Sequence, residues 1–104
     1  MPLIAIGDEK GTVITYHVSP CDLTTKTDEC SPDVFVGGVG VVRAGDKDAS
    51  HKYNVGDNCQ LHQVGLSTYS LSVKVNGEGV GRVGDYYGTE LISDAGQESV
   101  SAGD

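Results

Sequence analysis

The stretch SPDVFVGGVGVVRAGD, residues 31–46, recurs without a gap at 70–85 as SLSVKVNGEGVGRVGD, with nine of its sixteen positions identical. A chain of 104 residues that uses one short unit twice is built by stacking small supersecondary pieces, each burying its apolar face against the next. In the second copy Leu71, Val73 and Val75 alternate with Ser72 and Lys74, the period-two pattern of a strand with one buried face. Asn76-Gly77 follows, two residues that accept the positive φ of a tight hairpin turn, and Gly37-Gly38 stands at the matching place in the first copy. Each copy therefore predicts a β-hairpin. The return strands run into Arg43-Ala44-Gly45-Asp46 and Arg82-Val83-Gly84-Asp85. There the glycine can turn a corner closed to other residues and the aspartate can accept bonds from nearby amides, so a fixed structural turn is expected at Arg43, Gly45, Asp46 and again at Arg82, Gly84, Asp85.

A degenerate third copy is expected at 89–104, with Gly96 under Gly77 and the terminal Gly-Asp in register. With LIAIGD and GTVITY near the start, the pattern predicts six or seven short strands and no helix. The expected class is all-β, a single domain over 1–104 of repeated hairpins with approximate three-fold pseudosymmetry. Only 38% of the residues are apolar, with one Phe and no Trp. A domain this small hides about 60–70% of its unfolded surface, so the core is thin and some further fastening is expected. The net charge of −8 opposes a phosphate backbone, which disfavours a nucleic-acid partner. The N-terminus lacks the basic leader and cleavage site of a signal peptide, and no apolar run is long enough to span a membrane.

The segment HKYNVGDNCQLH, 51–62, gathers two of the three histidines and one of the three cysteines. Cys59 and His62 form a CxxH pair that a tight turn could aim at one ion, with His51 upstream. His17 from the first loop completes three imidazoles and a thiolate, a donor set that suits a closed structural zinc site. Bound metal is worth on the order of 10 kcal/mol, comparable to the whole stability of such a domain, so a zinc ion is the expected fastener. Cys21, Cys30 and Cys59 make an odd set that fits free thiols or ligands better than a full disulfide framework, and leaves room for a Cys21–Cys30 bridge. A Cys/His hydrolase would need an activated, accessible Cys59, with Asp57 as the orienting partner of its histidine base, and nothing else in the chain suggests a cleft or oxyanion loop. No catalytic residue is assigned.

These residues together resemble the PAAR-repeat family, the caps that sharpen the spike tip of contractile phage tails and type VI secretion machines. The resemblance rests on SPDVFVGGVGVVRAGD, on its second copy and on the early Gly7-Asp8. The naming tetrapeptide reads Gly79-Val80-Gly81-Arg82 here, so only its Arg is kept. The resemblance implies a short cone of β-hairpins with zinc near its apex, held at His17, His51, Cys59 and His62. It implies a non-enzymatic, monomeric cap whose partner is a trimeric β-helical spike and which meets the target cell membrane transiently. Its expected location is the virion tail tip or phage baseplate, or the tip of a secreted type VI spike, after synthesis in the cytoplasm. The competing expectation is a small β-module that binds metal or another ligand reversibly.

Overall fold

The computed structural model describes residues 1–104. It is all-β, with ten short strands and no helix. These are β1 (Thr12–Ile14), β2 (Thr24–Lys26), β3 (Phe35–Val36), β4 (Val39–Gly40), β5 (His51–Val55), β6 (Asn58–His62), β7 (Lys74–Val75), β8 (Glu78–Gly79), β9 (Tyr86–Tyr87) and β10 (Glu90–Asp94). One antiparallel sheet has the order β2-β1-β10-β9, and β3–β4, β5–β6 and β7–β8 are separate hairpins.

In both repeat copies the turn residues sit at positive φ: Gly37 at 61° and Gly38 at 82°, Asn76 at 56° and Gly77 at 81°. The paired part of each hairpin is only two residues long, shorter than the alternation predicts. Ser70 explains this, because its hydroxyl accepts the backbone N–H groups of Ser72 and Val73 and turns 71–73 into a bend. Leu71, expected to be buried, is 78% exposed, and only Val75 of the alternating set reaches the interior. After each hairpin the aspartate clasps the arginine before it. Asp46 Oδ2 accepts Arg43 N and Nε at 2.8 and 3.0 Å, and Asp85 Oδ2 accepts Arg82 N and Nε at the same distances.

Backbone bonds then join distant segments three at a time. Ala5 N donates to Gly81 O, Gly81 N to Val42 O and Val42 N to Ala5 O, at 2.9, 2.9 and 3.0 Å, closing a ring. A second set runs Gly7 N to Gly40 O, Ala44 N to Gly79 O and Val83 N to Leu3 O. Period-two alternation carries neighbouring residues to opposite sides of this ring. Ile4, Val41 and Val80 form one buried cluster with Ala102, while Ala5 and Val42 join Val13, Leu66, Tyr87 and Ile92 in the other.

The expected copy at 89–104 has a different counterpart in the hydrogen bonding. Gln97 Oε1 accepts the amides of Ser99 and Val100, as Ser31 Oγ accepts those of Asp33 and Val34 and Ser70 Oγ those of Ser72 and Val73. Val100 O then accepts Ile4 N, matching Val34 O with Val41 N and Val73 O with Val80 N. The unit that matches the two repeats is thus split between residues 97–100 and the first residues of the chain, while 90–94 form β10 in the main sheet. Sequence comparison along one strand of chain cannot register a unit divided between its two ends.

Candidate metal centre

His51 opens β5 and His62 closes β6, and the two stand directly opposite in the hairpin register. Because side chains two apart in a strand share a face, Tyr53 and His62 fall on that face too, and their rings stack at 4.0 Å and 7°. His17 arrives from the connection between β1 and β2. Glu90 opens β10, next to Leu91, which pairs with Ile14 of β1.

These four residues point at one another. Glu90 Oε2 lies 2.7 Å from His17 Nε2, 2.8 Å from His51 Nε2 and 3.1 Å from His62 Nε2, and the His51 and His62 Nε2 atoms are 2.8 Å apart. All four donor atoms fall within 4.8 Å of each other. His51 and Glu90 are buried, and His17 and His62 partly so. His51 Nδ1 donates to Ala49 O at 2.8 Å, so its Nε2 is the nitrogen that faces the group. Three imidazoles and a carboxylate are a donor set that could hold a metal ion. Tetrahedral coordination at about 2.0–2.1 Å needs donors about 3.3 Å apart, so the four pairs at 2.7–3.1 Å would spread by a few tenths of an ångström to admit one.

Behind Glu90 lies a second carboxyl group, Asp48, fully buried, with Oδ1 accepting Val64 N at 2.8 Å. Asp48 Oδ2 and Glu90 Oε1 are buried and have no N–H or hydroxyl partner. A proton shared between the two carboxyl groups satisfies both. Burial, and then the bond to Glu90, pushes Asp48 up to about 8. For Glu90, burial opposes the charge, but bonds from Asp48 and His51 outweigh it and hold the carboxyl below its ordinary value. Asp48 is therefore the neutral member and Glu90 the anion. Burial also lowers His62, favouring the unprotonated imidazole that can act as a ligand.

Of the four residues expected as ligands, the three histidines come together and Cys59 does not. Cys59 is bonded to Cys21, across 38 residues of chain, and Cys30 is the free cysteine. The CxxH pair is not in a turn but along β6, where a spacing of three puts the two side chains on opposite faces. Cys59 stands opposite Asn54 on the face away from the histidines. The Cys21–Cys30 bridge left open by the sequence is likewise replaced. Glu90 was missed because it sits in GTELIS, one acidic residue among fifteen, and its sole local sign is a carboxylate between a turn and an apolar run. No protein-family model matches the chain, and no curated protein matches it either.

Proposed function

We propose that the protein is a structural cap, not an enzyme, that closes and sharpens the trimeric β-helical spike of a contractile tail or type VI secretion machine, with a zinc ion held among His17, His51, His62 and Glu90. The observation that carries this reading is the closed ring of bonds among Ala5, Val42 and Gly81. We read this ring as approximate three-fold pseudosymmetry about one axis, an arrangement that would let a single chain meet a true trimer face to face.

The face it would offer is specific. Val34, Val73 and Val100 hold equivalent places in that bonding and are 38%, 37% and 39% exposed. Their carbonyls accept the amides of Val41, Val80 and Ile4, three members of the smaller cluster, while Glu90 and Asp48 adjoin the other cluster through β10 and Val64. Apolar groups would seat on the spike, and the metal would stiffen the region next to the other cluster. The hydrolase reading loses its nucleophile to the Cys21–Cys59 bond.

Light scattering of the chain mixed with the β-helical end of a trimeric spike protein from such a machine tests the cap. One chain per trimer is expected, lost on Val34→Asp with Val73→Asp. Free chain at every concentration, across spikes of both systems, refutes it. Reversible metal binding is the second reading, favoured by the 25% exposure of the His62 side chain. It predicts that zinc exchanges within seconds and that no spike is bound.

A further inference from the structure

The β5–β6 hairpin has two faces, and the connection between β1 and β2 touches both. His51, Tyr53 and His62 lie on one face, where the His17 ring comes within 6.2 Å of Tyr53 and 5.4 Å of His62, centroid to centroid. Asn54 and Cys59 lie on the other. Four residues after His17, Cys21 is bonded to Cys59 on that second face.

Between these contacts the connection follows the edge of β5. The Asn54 amide accepts Val18 N at 2.9 Å, donates to Val18 O at 3.1 Å and lies 3.1 Å from Cys21 Sγ. Asp22 N donates to Lys52 O, and the Asp22 carboxylate accepts Lys52 N. The Val18 and Lys52 contacts are partly or wholly exposed, where water competes for each partner. Tyr16, just before His17, sits at φ 63°, a left-handed conformation that a bulky residue adopts only when its surroundings hold it there. The covalent tie in this wrap is the disulfide, and Cys59 is only partly covered, so a thiolate can reach it.

We propose that the Cys21–Cys59 disulfide is a redox-controlled clamp that holds His17 against Glu90, His51 and His62, so that the protein keeps its metal tightly when oxidised and loosely when reduced. This rests on the reading that these four residues bind a divalent metal. Opening the clamp takes two electrons and two protons from a dithiol: its thiolate attacks one sulfur, the Cys21–Cys59 bond breaks, two thiols form, and the dithiol leaves as its own disulfide. His17 then keeps its place by hydrogen bonds alone, among them its own N–H to Thr15 Oγ1 at 3.1 Å and the exposed contacts of Val18 and Lys52. A chain made in a reducing compartment would lock its metal on reaching an oxidising one.

The test measures zinc affinity of the full chain by competition with a chromophoric chelator. The oxidised protein is compared with the Cys21→Ser/Cys59→Ser variant, which has no freed thiolates at this position to bind zinc themselves. We expect the variant to bind at least about tenfold more weakly, the size of effect seen when a ligand loses its positioning partner. In a His17→Ala background the same serine substitutions should change affinity less than about twofold. Equal affinities in the first comparison, or an undiminished loss in the second, overturn the clamp. Absence of zinc binding by the oxidised wild-type chain overturns the metal centre itself, and the clamp with it. If circular dichroism finds the serine variant unfolded, the wild-type chain is equilibrated in dithiol buffers with and without zinc, and alkylation of Cys21 and Cys59 is read by mass spectrometry. Coupling is reciprocal, so zinc must shift that equilibrium toward the disulfide by the ratio of its affinities for the oxidised and reduced wild-type chain, and no shift refutes the proposal.

Discussion

Replacing Cys59 with Ser separates two accounts of that residue by a large margin. The disulfide closes a loop of 38 residues, and the chain-entropy relation for such a loop gives about 4 kcal/mol at 25 °C. A domain of this length has a net stability of about 5–15 kcal/mol, so the bond is a major share of the whole. At about 4–8 °C per kcal/mol, its loss should lower Tm by about 15–30 °C. Cys21→Ser should do the same, and the double variant should fall no further than either single one, because the bond can be lost only once. Cys30→Ser, at a partly buried free thiol, should cost about 1 kcal/mol or less. The assay is thermal and urea unfolding in chelator, so that metal does not enter, with dithiol-treated wild type as a chemical control. If Cys59→Ser is costly while Cys21→Ser is not, Cys59 acts through something other than this bond.

Three further outcomes follow from particular atoms. Tyr87 is fully buried and its hydroxyl has no partner, a situation worth about 1–3 kcal/mol of lost solvation, so Tyr87→Phe should raise Tm where most core substitutions lower it; a drop would mean that the hydroxyl is bonded in solution. A Cβ on Gly40 would run into Ser31 O and the Cys30 side chain, and one on Gly79 into Ser70 O and the Tyr69 ring; each Gly→Ala change should cost about 2 kcal/mol or more by urea unfolding, and a neutral result would show that the hairpin base gives way. Asp48 has its folded pKa raised from 3.8 to about 8, so its contribution is fully present below the unfolded value and is lost as pH rises through about 8. Asp48→Asn keeps a donor for Glu90 and removes that titration, and in chelator its urea midpoint should fall less between pH 5 and pH 9 than wild type; parallel curves would place the proton elsewhere.

How far the chain could be read depended on whether the determining partners were close in sequence. The Asn76-Gly77 and Gly37-Gly38 turns are local events: backbone conformation is chosen by the residues that adopt it, and the pattern around them carries it. The all-β class follows in the same way from alternation and glycine without helical periodicity. The gathering of His51 and His62 was legible because histidine is scarce and the two fall within twelve residues; that two five-residue strands, and not polar loops, set them face to face came from the structure. Leu71 was misjudged because alternation reports which side chains could share a face, and the Ser70 hydroxyl bends the backbone before the strand forms.

The sequence by itself determined the repeat, its turns and the three imidazoles, since each depends on neighbours in the chain or on scarce residue types. Only the tertiary structure decided that Glu90 stands where a thiolate was expected and that Cys59 turns to Cys21. It also decided that the unit matching the two repeats is made from both ends of the chain. The physical reason is strand geometry combined with distance. An odd spacing in β6 sends Cys59 and His62 to opposite faces. Glu90 lies 28 residues beyond His62, beyond any local pattern, and reaches the site because β10 pairs with β1 in the same sheet.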